Sequence, residues 1–245
     1  MEESKSIETQ TPAVEQTVIY AEDLHKIYDE SKVPVHALRG VDLEINKGEF
    51  TAIVGPSGSG KSTLLNIIGG LDRPTKGVIR VNGQDISHFS DNELIDFRKN
   101  NIGFVFQSYN LIPVLTAKEN VEFVMLLQGR SRKDMDERVT QLLEAVGLGD
   151  RMNNRPSELS GGQQQRIAVA RALASKPTFV LADEPTANLD SKSTANLLDI
   201  MARLNEDERT TFVFSTHDQR VIDRARRVLT LEDGKIVSDV WREVK

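Results

Sequence analysis

The run Gly55-Pro56-Ser57-Gly58-Ser59-Gly60-Lys61-Ser62-Thr63 limits what this chain can fold into more than any other stretch. Its pattern, G-x-x-x-x-G-K-[ST], works only as a loop between a strand and a helix. The apolar Phe50–Val54 precedes it and the helix-like Leu64-Leu65-Asn66-Ile67-Ile68 follows it. Glycines let the backbone wrap so that successive N–H groups turn inward toward phosphate oxygens. The helix that follows adds the positive end of its dipole. Lys61 brings a point charge to the β- and γ-phosphates, and the Ser62 hydroxyl is a ligand for Mg²⁺. A nucleoside triphosphate cradle on an α/β sheet is the expectation.

The chain has 245 residues, enough for one large α/β domain or a domain with a subdomain. With 38% apolar and 28% charged residues it can bury a full core. Net charge is 31 − 37 = −6, which argues against a nucleic-acid binder held by a general positive field. There is no cysteine, so disulfides, thiolate metal sites and cysteine nucleophiles are excluded. No apolar run approaches the ~20 residues needed to span a bilayer. The acidic, polar start MEESKSIETQ does not read as a signal peptide.

Residues 1–16 hold little to bury and are expected to be a disordered extension to one domain over 17–245. Strands are expected at Val18–Tyr20, Val41–Ile45, Phe50–Val54 and Val78–Val81, with turns at Gly48, Gly77 and Gly83. Another falls at Ile102–Phe106. The stretch of about 95–165 changes character. Helical spacing appears in Val121, Val124, Met125 and Gln128, then in Val139, Leu142, Leu143 and Val146. It is expected to be a helical insert. The α/β pattern resumes with Thr178–Ala182, a helix near Ser193–Leu204, Thr211–Ser215 and a closing hairpin at Gly234.

Phe179-Val180-Leu181-Ala182-Asp183-Glu184 is an apolar run ended by two carboxylates. Such a run suits a strand buried on both faces of a parallel sheet, and ligands bind at the carboxyl ends of those strands. Asp183 is placed to hold Mg²⁺ through its water shell, and Glu184 to orient or deprotonate an attacking water. His217 ends the next apolar run and can donate a hydrogen bond to a γ-phosphate. Gln107 follows Ile102–Phe106 in the same way, and its amide oxygen can reach the metal. Each has a bland alternative, a strand end or a satisfied polar side chain meeting solvent. In Leu159-Ser160-Gly161-Gly162-Gln163, Ser160 can cap a helix through Gly161 to Ser175. The two glycines leave N–H groups open at its start, a second anion site. One nucleotide needs one cradle, so the second suggests a sandwich between subunits. A tight turn is the plainer alternative.

With these residues in hand, the chain resembles the nucleotide-binding subunits of ABC transporters across about residues 17–240. Six motifs occur in the family's order: the phosphate loop, Gln107, the signature Leu159–Gln163, Asp183-Glu184, the stretch around Asn188-Leu189-Asp190, and His217. The resemblance implies a P-loop ATPase core with an antiparallel β-subdomain and an inserted α-helical subdomain. It implies ATP and Mg²⁺ as cofactors and a head-to-tail homodimer, each ATP lying between the phosphate loop of one subunit and Ser160–Gln163 of the other. Asp190 would lie across that seam, and Tyr28 aligns with the aromatic that stacks on adenine. Ile102–Phe123, Gly69–Gly77 and Asn153–Ala174 are similar to the branch containing MacB, LolD and FtsE, leaning toward the first two. That branch implies an integral membrane permease with four helices and a large extracytoplasmic domain, a periplasmic adaptor as a further option, and a place on the cytoplasmic face of the inner membrane. Because the sequence ends near Lys245, a separate ATPase subunit is expected rather than a fusion. Leu111-Ile112-Pro113-Val114-Leu115 is the expected docking surface for the permease, or else subdomain core.

Three other readings stand beside this one. A soluble relative acting on DNA or ribosomes would need a long coiled coil between the motifs or a second nucleotide domain, and neither is present. A transmembrane signalling ATPase of the FtsE kind shares every motif. A small-molecule kinase would leave the signature and His217 unexplained. The cargo is not written in this chain.

Overall fold

The structure, a computed structural model, describes residues 16–29 and 33–242. The extension expected over 1–16 lies outside the described residues except for Gln16. Its centre is a six-stranded sheet of β3 (Phe50–Val54), β6 (Ile102–Val105), β7 (Phe179–Asp183), β8 (Thr211–Ser215), β9 (Arg227–Glu232) and β10 (Lys235–Trp241), in the order β10-β9-β3-β8-β7-β6. All pair in parallel except β10, which returns antiparallel on β9. The apolar runs of β3, β7 and β8 make this sheet possible. Their side chains alternate between two packed faces, as period 2 requires. Phe50, Val180, Ala182, Phe212 and Phe214 face one core; Ile53, Phe179, Leu181 and Val213 face the other.

On the first face lie α5 (Gly161–Ala174) and α6 (Ser191–Glu208), through Ile167, Leu173, Leu197 and Met201. On the second lies α1 (Lys61–Ile68), through Leu64, Leu65, Ile67 and Ile68. A four-stranded antiparallel sheet, β2-β1-β4-β5, closes the second face. It is built from β1 (Thr17–Tyr28), β2 (Val35–Asn46), β4 (Lys76–Val81) and β5 (Gln84–Asp85), and it contributes Ile19, Leu24, Leu38, Val41 and Ile79 to the core.

Along the chain between β5 and α5 come α2 (Asp91–Asn101), α3 (Ala117–Leu127) and α4 (Arg132–Ala145), with α7 (Gln219–Ile222) late in the chain. Ser90 and Thr116 start α2 and α3 with capping boxes, and Ser131 caps α4. Within the stretch 95–165, β6 is not helical: it is an edge strand of the main sheet, paired with β7 from Ile102↔Phe179 to Val105↔Ala182. It ends one residue before Phe106.

Two readings need correction. Gly77 is not a turn: it sits inside β4 with φ 97°, and a Cβ there would meet the Asp23 carbonyl oxygen at 2.3 Å. The glycine admits the irregular register of β1 near Asp23, where pairing shifts between Glu22 and His25. The strands and the late helix also run longer than their apolar centres, β1 to Tyr28 and α6 over Ser191–Glu208.

Candidate active site

The carboxyl ends of β3, β8, β7 and β6 stand side by side, and each releases one expected group: the phosphate loop, His217, Asp183-Glu184 and Gln107. A cavity of about 770 Å³ opens there, lined by Gly55–Gly58, Gly60–Thr63, Gln107, Glu184, Ser215, His217 and Tyr28. Ser59 is buried beneath it.

The loop's shape follows from its glycines. Gly55, Gly58 and Gly60 have φ of 150°, 80° and 104°. A Cβ at Gly55 would meet the Leu231 carbonyl oxygen at 2.0 Å, and one at Gly60 the Ala37 carbonyl oxygen at 2.4 Å. Any side chain at these two positions would collide with backbone. Helix α1 starts on Gly60 with no side-chain cap and no acidic residue in its first turn. Its dipole and first N–H groups are therefore left for an anion. Lys61 Nζ meanwhile donates to the carbonyls of Gly55 at 2.8 Å and Pro56 at 2.9 Å, which holds the ammonium over the loop.

Ser62 Oγ donates to Asp183 Oδ1 at 3.2 Å. A hydroxyl beside a carboxylate offers hard oxygen donors and fits Mg²⁺, which keeps most of its waters and takes one or two protein ligands. Among the described residues no cluster of three His, Cys, Asp or Glu could hold a metal unaided. The open cradle and the cavity size fit a nucleotide.

Glu184 has φ 46°, an uncommon left-handed conformation for a residue with a Cβ. Its N–H donates to the Ser215 carbonyl at 2.8 Å, which fixes this turn against β8. Its Oε1 meets His217 Nδ1 at 2.7 Å, while Thr216 Oγ1 donates to Oε2 at 3.4 Å. The carboxylate is thereby aimed along the sheet edge, 18% exposed, beneath a histidine that is 76% exposed. Behind it Thr186 donates to Asp218 at 2.8 Å and ties the segments after β7 and β8 together. The Arg220 guanidinium above all draws the Asp218 carboxyl down to about 2.

Tyr28, the last residue of β1, donates through Oη to Asp72 Oδ2 at 2.7 Å. Lys26 and Tyr28 together hold the Asp72 carboxyl below its usual range against the opposing effect of burial, which is the largest single influence. Val35, His36 and Ala37 of β2 line the cavity beside Tyr28. They carry no motif; only their place over the phosphate loop reveals them.

Ser160, Gly161, Gly162, Gln163 and Asp190 are not among the residues lining this cavity. Ser160 and Gln163 close a capping box on α5: Ser160 Oγ accepts from Gln163 N at 3.3 Å, and Ser160 N donates to Gln163 Oε1 at 2.9 Å. Asp190 caps α6 and accepts from Lys192 N, Ser193 N and Ser193 Oγ. The Ser193 hydroxyl, first among these contacts, holds its carboxyl below the ordinary range. Gly162 packs against the same hydroxyl, where an added Cβ would come within 2.9 Å.

Sequence reasoning passed over the side chains that tie these loops together. Gln165 and Arg171 of α5 reach the segment around Gln107, and Asn188 Nδ2 donates to the Gln107 carbonyl at 3.0 Å. A signal was there for Gln165: it lies three, four and seven residues before the buried Ala168, Val169 and Ala172, so it falls on an inward side of the helix.

A family model described as ABC transporter matches residues 38–187. An ABC transporter ATP-binding protein of Thermotoga maritima is 52% identical over 214 residues, 87% of this chain and 91% of that protein. LolD, the lipoprotein-releasing system ATP-binding protein of Xanthomonas oryzae pv. oryzae, is 47% identical over 236 residues, covering 96% and 97%. Among solved structures, a dimeric ATP-binding cassette in a post-hydrolysis state, bound to ADP and Pi, superposes with a TM-score of 0.84 at 41% identity, over 92% of this chain and 99% of that one.

Proposed function

This chain belongs to the ABC transporter family as an ATP-binding subunit, and on that premise we propose how its residues divide the work. It is an ATPase that uses ATP and Mg²⁺. Lys61 and the N–H groups of Gly58–Thr63 bind the β- and γ-phosphates, with Tyr28 beside the base. Ser62, Asp183 and Gln107 would hold the metal, which when bound would supply charge neutralisation at the phosphates. Glu184 orients the attacking water and takes up its proton, and His217 holds both the Glu184 carboxylate and the γ-phosphate.

The dimer is head-to-tail. One observation carries this: the signature loop is well formed yet stands outside the cavity that gathers the phosphate loop, Gln107, Glu184 and His217. A helix N-terminus of that kind finds its phosphate in a second copy. The partner in the membrane is a permease of the MacB and LolD kind, and the ATPase sits at the cytoplasmic face of the membrane. Among the described residues no helix is long and apolar enough to cross a membrane. Leu111–Leu115 is the docking surface. Asn120, fully buried, accepts from the Ile112 N–H and donates to the Ile112 and Leu115 carbonyls. This grip leaves Val114 72% exposed.

Glu184→Gln removes the base and spares the metal side. Turnover is expected to fall about 100-fold or more, while ATP binding persists and an ATP-bound dimer accumulates in size-exclusion chromatography with light scattering. Turnover within a few-fold of wild type would overturn the assignment of the base.

A further inference from the structure

Gln165 is fully buried in the second turn of α5. Its Nε2 donates to two carbonyls at once, that of Pro185 at 2.7 Å and that of Phe106 at 3.3 Å. Pro185 directly follows Glu184, and Phe106 directly precedes Gln107. These segments leave neighbouring parallel strands, whose pairing ends at Val105↔Ala182 on β6 and β7. Beyond that point the sheet no longer fixes the distance between them. The amide has two hydrogens and there are two carbonyls, so the side chain serves as one more rung past the end of the ladder.

We infer that Gln165 is a positioning residue for ATP hydrolysis, setting the segment that carries Gln107 against the segment that carries Glu184 within one chain. The inference rests on the proposed catalytic roles of those two residues. Its orientation admits no alternative, because an amide flip would point its oxygen at two carbonyl oxygens. Its own Oε1 is buried without a partner, so the donors govern how it sits. Other contacts reinforce the same joint. Arg171, two turns further along α5, donates to the carbonyls of Tyr109 and Asn110, both held in left-handed conformations with φ of 57° and 50°. Asn188 Nδ2 donates to the Gln107 carbonyl.

The placement also joins the two ends of the proposed chemistry. Gly161–Gln163 form the first turn of α5, and Gln165 lies one turn in. A shift of that first turn as it closes on the nucleotide of a second copy moves a rigid helix, and Gln165 passes the shift to the carbonyls flanking Gln107 and Glu184 of its own chain. Loss of the link costs rate more than binding, since Lys61 and the phosphate loop are untouched.

The test is Gln165→Met, close in volume and unable to donate. Its kcat is expected to fall about 10- to 100-fold, the scale of a small misplacement of reacting groups, with KM for ATP within about threefold and Tm nearly unchanged. Combined with Glu184→Gln it should add no further loss, as for residues acting as a unit. Gln165→Glu supplies a second reading: only the protonated introduced carboxyl can donate to Pro185, so relative activity should rise as pH falls, unlike wild type. A wild-type kcat in Gln165→Met, a kcat loss that merely follows a loss of Tm, or a Gln165→Glu pH profile parallel to wild type would overturn the inference. Full turnover by Glu184→Gln would instead overturn the catalytic reading beneath it.

Discussion

Helices α1 and α5 both begin beside serine and glycine, yet their first turns meet opposite fates. At α1 the loop glycines have positive φ, backbone crowds the Cβ positions of Gly55 and Gly60, and no side chain caps the helix. At α5 Gly161 and Gly162 are ordinary helical residues, and the atoms near their missing Cβ positions are the hydroxyls of Tyr109 and Ser193, ends of movable side chains. Ser160 and Gln163 already satisfy each other there. The first start is uncapped and opens onto a cavity of its own chain; the second is a capped helix entrance that does not line that cavity. Glycine at a helix start therefore has two meanings, and conformation separates them: forced backbone at α1, close approach by a visitor at α5.

Lys61→Ala gives the contrast its largest expected effect. Removing the charge held over that uncapped start should weaken binding of a fluorescent ATP analogue about 10- to 100-fold. Unchanged affinity would mean Lys61 leaves the phosphates alone, and α1 would lose its claim to be the principal site. Smaller effects separate the glycines. Gly60→Ala places a methyl group against the Ala37 carbonyl in a left-handed conformation and should cost at least about 2 kcal/mol, roughly 4 °C or more in Tm. Gly161→Ala should change Tm least. Its methyl displaces only the Tyr109 hydroxyl end, offset by the roughly 1 kcal/mol by which alanine favours a helix. Equal losses at the two positions, measured by thermal unfolding without nucleotide, would erase the distinction.

The same contrast explains what could be read from the chain beforehand. The phosphate loop is contiguous and its glycines are required by local geometry, so sequence alone located it. Glu184, His217 and Gln107 were legible because each ends an apolar strand, and parallel strands deliver their ends to one edge. Gly77 misled because a glycine admitting a neighbouring strand looks the same in sequence as one making a turn. Gln165 stayed hidden because its partners, Phe106 and Pro185, lie far from it and from each other along the chain and are backbone atoms. Asn120, which shapes Ile112–Leu115 from nearby in the chain, was missed because its partners too are backbone atoms. No motif records a hydrogen bond to a carbonyl.

The most direct test of a site shared between two copies mixes two silenced proteins. Ser160→Arg damages the signature and leaves the phosphate loop; Lys61→Ala does the reverse. In a heterodimer both lesions can fall at one interface and leave the other whole. Random pairing then restores about a quarter of the wild-type sites, fewer in effect if the two sites are coupled. ATPase activity of the mixture should exceed that of either variant alone, and the specific rate of wild type should rise with protein concentration before levelling. No recovery on mixing, together with a rate per subunit that stays flat across the dimerisation range, would contradict the shared site and return Ser160–Gln163 to a capped helix start.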